Sequence, residues 1–122
     1  MPSSRFEAGV RVGSGIALVA MRGDIDREAE SGLAAAYQET GGSPVIVLDF
    51  TGVGYINSTG IALIVRFLAD GQRDRRELRA CGLSPHYAEI FQLTRLSNYM
   101  RIFDDPASAT GLTTSEMTGG RT

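Results

Sequence analysis

The chain has 122 residues, of which 43% are hydrophobic and 21% charged, and its net charge at pH 7 is −2. This length suits one domain around one core, and the composition excludes collagen, a wholly disordered chain and a membrane protein. A chain so close to neutral has no basic surface for nucleic acid, so we expect no direct nucleic-acid partner.

Residue types that many enzymes need are scarce. All twelve basic residues are arginine, so no lysine exists for a Schiff base, a phosphate-binding loop or a general base. His86 is the only histidine, which excludes a histidine-rich metal site. The single cysteine, Cys81, cannot form an internal disulfide, and no apolar run approaches the roughly 20 residues that span a bilayer. We therefore expect a cytoplasmic protein without a membrane segment.

The first predicted elements are a hairpin and a helix. Apolar and β-branched stretches at 6–11 and 16–21 flank the Gly-Ser-Gly sequence at 13–15, which predicts a β-hairpin. After Asp26, a candidate N-cap, apolar residues recur with helical spacing until the glycine pair at 41–42 ends the helix.

Strands and helices then alternate. The continuous apolar run at 45–50 predicts a strand buried on both faces, and a helix follows over 61–70, which Gly71 ends. Residues 77–81 predict a further short strand. The Ser-Pro pair at 84–85 predicts the next helix start, with serine as N-cap and proline in the first turn.

The order of these elements predicts the fold class. With a last strand at 100–103, it favours a single α/β domain with a mixed sheet of about four to five strands and helices packed on it. We expect this domain to cover residues 5–105. The small, polar and glycine-rich residues 106–122 predict a disordered C-terminal tail.

The segment between the third predicted strand and the next helix carries the most specific pattern. Asp49 lies near the end of the buried run, and Asn57-Ser58-Thr59-Gly60 opens the helix. Together with Gly23-Asp24-Ile25-Asp26, this segment resembles the STAS domains of the anti-sigma factor antagonist family. In that family an Asp-Ser-Ser/Thr-Gly tetrapeptide follows a buried strand and a short loop. The resemblance covers roughly residues 5–105 in matching order.

By this resemblance, Ser58 is the residue that a partner kinase phosphorylates, and Thr59 is the neighbour that usually stays unmodified. Asn57 departs from the family pattern, which has aspartate there, although either side chain can cap a helix. A helix N-terminus accommodates phosphate, because its unpaired N–H groups and partial positive charge favour anions. The alternative interpretation of Ser58 is an ordinary N-cap serine.

The resemblance also implies a function. In the family, the unphosphorylated antagonist binds an anti-sigma factor, which is an ATP-binding serine kinase with a histidine-kinase-like fold, and thereby frees a sigma factor. Phosphorylation releases the antagonist, and a PP2C-type phosphatase restores it. The chain would then be a binder and a kinase substrate, with no catalytic residue, metal or cofactor of its own. We expect a monomer or weak dimer.

We expect the partner to contact the surface around Ser58. A helical projection places one apolar stripe against the sheet, made of Ile61, Ile64, Val65 and Leu68. Leu63 and Phe67 fall outside that stripe, which predicts an exposed apolar pair. The predicted partner face consists of Asp24, Asp26, Asn57, Ser58, Thr59, Gly60, Leu63 and Phe67. Turn and cap roles would equally explain the two aspartates, and packing under a loop would explain the apolar pair.

Two other functions stay open. An esterase with Ser58 as its nucleophile would need a small residue where Ile56 stands and would have only His86 as an imidazole base. A STAS module could instead sense a small molecule, act as a scaffold or control a process other than a sigma factor, since fold does not fix function.

Overall fold

In the computed structural model, which describes residues 5–111, five strands lie side by side in chain order in one sheet. They are β1 (Glu7–Gly13), β2 (Ile16–Ile25), β3 (Val45–Ile56), β4 (Glu77–Cys81) and β5 (Arg101–Phe103). β1 pairs antiparallel with β2, and each later neighbouring pair is parallel. The predicted hairpin and mixed sheet are confirmed.

The helices cover both faces of this sheet. They are α1 (Glu30–Glu39), α2 (Ser58–Arg73), α3 (Pro85–Leu93) and α4 (Pro106–Thr110), with 3-10 turns at Arg27–Ala29 and Leu96–Asn98. Side chains of α1, α2 and α3 form the main core against one face of the sheet. Ala109 of α4 packs with Val47 and Cys81 on the other face. Over the residues described, none of the helices has both the length and the apolar character needed to cross a bilayer.

The C-terminal boundary differs from the prediction. Disorder was expected from residue 106 onward, but Pro106–Thr110 form α4, where Asp105 caps the helix by accepting a hydrogen bond from the Ser108 N–H at 2.8 Å. Burial of Ala109 against the sheet stabilises this short helix, a tertiary contact that composition does not reveal. The rest of the predicted tail, residues 112–122, lies outside the described residues.

The end of α2 was also predicted wrongly. The helix continues to Arg73, so Gly71 lies within it. A Cβ on Gly71 would lie 2.8 Å from Cδ1 of Leu78, so this glycine lets the helix pack closely on β4. Arg75, with a φ of 60°, is the residue that takes the left-handed conformation after the helix.

The buried face of α2 is rotated from the predicted stripe. Phe67 is only 4% exposed and makes an edge-on contact with the Tyr37 ring of α1, with the ring centroids 5.1 Å apart. Val65, in contrast, is 45% exposed. Because α2 packs against α1 as well as the sheet, its buried face turns towards α1. The prediction that Phe67 lies on the surface is therefore wrong.

Candidate functional site

The two motif segments lie beside each other at one edge of the sheet. β2 and β3 are parallel, so their carboxyl ends meet, and Ile25 pairs with Ile56. The Asn57 N–H donates to the Ile25 carbonyl at 3.3 Å, immediately after this pair. The end of β2, with Asp24 in the strand and Asp26 directly after it, is therefore adjacent to the start of α2.

Asn57, not Ser58, caps α2. Its side-chain oxygen accepts a hydrogen bond from the Gly60 N–H at 2.8 Å, and its carbonyl accepts the first helical bond from the Ile61 N–H at 2.9 Å. Ser58 is the first residue of the helix and is exposed. Within residues 5–111 its hydroxyl makes no hydrogen bond. The capping interpretation of Ser58 is therefore wrong, and the hydroxyl has no structural role in this helix start.

Gly60 brings the start of α2 into contact with the end of β2. A Cβ at this position would lie 1.9 Å from the Ile25 carbonyl oxygen and 2.8 Å from its carbon. These are backbone atoms, so no side-chain rotation would relieve the contact. Gly60 is buried, so it is not available to a partner. Its role in the site is to let α2 start close to the end of β2.

The aspartates have different local roles. Asp26 caps the 3-10 turn before α1, because its side chain accepts a hydrogen bond from the Glu28 N–H at 2.9 Å. Asp24 is half-buried and lies against Gly54 of β3. A Cβ on Gly54 would be 3.2 Å from the Asp24 Oδ1. The predicted cap role thus holds for Asp26, whereas Asp24 lies within β2 and not in a turn. Both residues are half-buried on the rim of the site.

The apolar residues of the predicted partner face, Leu63 and Phe67, lie between α1 and α2. Leu63 is half-buried and, with Phe67, lines a cleft of about 220 Å³ between α1 and α2. Thr59 is exposed beside Ser58. The structure therefore brings Ser58 and Thr59 close to the end of β2 with its two aspartates, while Phe67 belongs to the core.

Sequence reasoning missed a contact immediately before the motif. The Ile56 N–H donates to the Tyr87 hydroxyl at 2.8 Å, and that hydroxyl donates to the Ile56 carbonyl at 3.4 Å. Tyr87 comes from α3, which is distant in the sequence. The sequence offered one hint of this contact, because Tyr87 lies on the apolar face of a predicted helix. A buried tyrosine hydroxyl usually has a hydrogen-bond partner.

Two other side chains of reactive type are Cys81 and His86. Burial, followed by the effect of the neighbouring Asp49, raises the pKa of the Cys81 thiol to about 12, so it stays protonated near neutral pH. His86 is exposed and stacks edge-on to Tyr87, with the ring centroids 4.9 Å apart. The hydrogen bond from nucleophile to base that an esterase would use is not formed at Ser58 by any residue between 5 and 111.

Comparisons with known proteins agree with this architecture. The family model described as STAS domain matches residues 8–109. An anti-sigma factor antagonist from Mycobacterium paratuberculosis is 17% identical, with a TM-score of 0.71 over 87% of this chain and 92% of that chain. The phosphorylated form of the Bacillus cell fate determinant SpoIIAA is 15% identical, with a TM-score of 0.62 over 88% and 99%. A sulfate transporter family protein from Wolinella succinogenes is 19% identical, with a TM-score of 0.71 over 82% and 85%.

Proposed function

The chain belongs to the STAS domain family and has its fold. We propose that it is an anti-sigma factor antagonist that a partner kinase inactivates by phosphorylating Ser58. The observation that carries the proposal is the exposed Ser58 hydroxyl at the first position of α2, which Asn57 frees from capping. A hydroxyl without a structural bond is available to a kinase at no cost to the fold.

The phosphorylation step is an ordinary phosphoryl transfer. The Ser58 oxygen attacks the γ-phosphorus of ATP held by the kinase, an O–P bond forms, and the bond between the γ-phosphorus and the bridging oxygen breaks. ADP leaves, and a base of the kinase takes the hydroxyl proton. A PP2C-type phosphatase reverses the modification by hydrolysis, in which water attacks the phosphoserine and inorganic phosphate leaves. The chain itself serves as substrate and binder and supplies no catalytic residue.

The phosphate is expected to act on binding and leave the fold intact. At the first position of α2 it is close to unpaired N–H groups and the positive end of the helix dipole, which favour an anion. A solved relative of the same fold carries this kind of modification, since SpoIIAA is known in both unphosphorylated and phosphorylated forms. A charge of about −1.5 to −2 beside Asp24 and Asp26 would repel an acidic partner surface, and its desolvation against an apolar partner surface would be unfavourable.

The buried position of Phe67 changes the partner face that we propose. Ser58, Thr59 and the rim aspartates stay in it. On the exposed side of α2, Ala62 and Val65 follow Ser58 at intervals of four and seven residues, so they share its face and replace the predicted apolar pair. The partner is an anti-sigma serine kinase that would meet this face in the cytoplasm.

Mass measurement of the protein after incubation with ATP and candidate serine kinases of histidine-kinase-like fold tests the proposal. We expect the wild type to gain the mass of one phosphate and Ser58→Ala to gain none. Thr59→Ala is the matched control, because Thr59 is an exposed hydroxyl one residue away. Since this variant retains Ser58, it should still gain the mass of one phosphate, whatever the change in the partner face does to the rate. Phosphate on Ser58→Ala, or none on the wild type with any of these kinases, would contradict the proposal.

One comparison favours a second candidate. The similarity to a sulfate transporter family protein shows that this fold also occurs in proteins with other tasks, so a sensor or scaffold module is the alternative. Saturable binding of a nucleotide or a small anion, with no phosphate transfer by any kinase, would favour that module.

A further inference from the structure

The strand that leads to Ser58 extends beyond its neighbour. Pairing between β3 and β4 stops at Asp49 and Cys81, whereas β3 continues to Ile56. On its other side, β3 stays paired with β2 up to Ile25 and Ile56, with two register shifts. Among residues 5–111, no strand therefore pairs with the β4 side of β3 between Phe50 and Ile56. An unpaired strand edge leaves a row of backbone N–H and C=O groups without ladder partners.

Tyr87 takes the place of the missing strand at the last residue of this extension. Its hydroxyl accepts from the Ile56 N–H at 2.8 Å and donates to the Ile56 carbonyl at 3.4 Å, which are the two backbone groups that a neighbouring strand would use. Ile56 is two residues before Ser58. The bond therefore fixes the point from which the phosphoacceptor segment starts.

The tyrosine is itself held in position. Its own N–H donates to the Ser84 hydroxyl at 3.3 Å in the helix cap, and its side chain is 9% exposed. One helical turn later, Phe91 contacts Phe50 edge-on, with the ring centroids 5.6 Å apart. α3 thus reaches β3 at both ends of the unpaired segment, Phe50 and Ile56.

We propose that Tyr87 is a positioning residue for phosphorylation: its hydroxyl fixes the end of β3 so that Ser58 is presented to the kinase in one orientation. The inference rests on the proposed function. Phosphoryl transfer depends on near-linear placement of the attacking oxygen, and a displacement of about 1 Å can lower the rate about a hundredfold. Tyr87 acts through Ile56 and does not touch the reacting atoms.

Steady-state phosphorylation of Tyr87→Phe and Tyr37→Phe tests this role. Tyr37 is the matched control, because it is equally buried and its hydroxyl donates to Asp70 and Asp74 in the contact between α1 and α2. We expect kcat for Tyr87→Phe to fall about tenfold, consistent with a partial misplacement, while Tyr37→Phe retains the wild-type kcat. Exchange of the Ile56 amide hydrogen should also become faster in Tyr87→Phe only.

A second variant separates positioning from general stability. 3-Fluorotyrosine at position 87 keeps the hydroxyl as both donor and acceptor, so it should retain the wild-type kcat. If Tyr87→Phe matches Tyr37→Phe in kcat, or if the 3-fluorotyrosine variant is as slow as Tyr87→Phe, the positioning role is wrong while the proposed function stands. If the wild type itself accepts no phosphate, the proposed function and the positioning role fail together.

Discussion

Replacing Gly60 with alanine is expected to lower the free energy of unfolding by about 3 kcal/mol or more. The new Cβ would lie 1.9 Å from the Ile25 carbonyl oxygen, far inside contact distance, and 3.0 Å from a methyl group of Ile56. Because the carbonyl belongs to the backbone of β2, either the strand end or the start of α2 would have to move. The same displacement would also separate Ser58 from Asp24 and Asp26 at the end of β2.

Urea denaturation measures this effect, with Gly9→Ala as the control. A Cβ on Gly9 would meet no atom within 4 Å, so that substitution should change the free energy of unfolding by less than about 1 kcal/mol. Equal midpoints for Gly60→Ala and the wild type would show that the close approach between α2 and β2 is not as described.

Phe67→Ala is expected to lower the free energy of unfolding by about 3 to 5 kcal/mol. The change removes a ring that is 4% exposed, deletes its edge-on contact with Tyr37 and leaves a cavity between α1, α2 and the sheet. An exposed docking residue would instead lose partner affinity with little loss of stability. Thermal or urea unfolding of the isolated protein distinguishes the two cases.

Val65→Ala is the matched comparison on the same helix. Val65 is 45% exposed, so its truncation should change stability by at most about 0.5 kcal/mol. If Phe67→Ala proves as stable as Val65→Ala, α2 does not bury Phe67 against α1, and Phe67 would belong to the partner face.

Much of the fold follows from local sequence signals. Three elements are specified by backbone chemistry or by periodicity. They are the hairpin with its glycine turn at 13–15, the strand that begins at Val45 and the helix α3 with its Ser-Pro start. The strand predicted at 77–81 has the same bounds in the structure. In the tetrapeptide, the first residue and not the serine proved to be the helix cap.

The orientation of α2 depends on tertiary contacts and was predicted wrongly. A projection based on large apolar residues alone centred the stripe too far from α1. Gly60 and Gly71 are eleven residues apart, about three helical turns, so they lie on one face, and both are buried. Had these glycines been counted as close-contact positions, the projection would have included Phe67 in the buried face and placed Val65 outside it.

The sequence did not predict that β3 continues beyond residue 50, again because the extension depends on tertiary contacts. Glycines at 52 and 54 are typical of a loop, yet this segment continues the strand because β2 pairs with it through two register shifts. Nothing in the local sequence connects Ile56 to Tyr87. That contact depends on how α3 packs, which only the assembled sheet determines.

The affinity of the partner kinase for the protein before and after phosphorylation of Ser58 tests whether one phosphate controls docking. Titration calorimetry should give a Kd about a hundredfold higher for the phosphorylated form, equivalent to about 2.8 kcal/mol. Both forms should unfold cooperatively, which shows that the loss arises at the interface. Equal affinity of the two forms for the kinase would show that phosphorylation of Ser58 does not control docking.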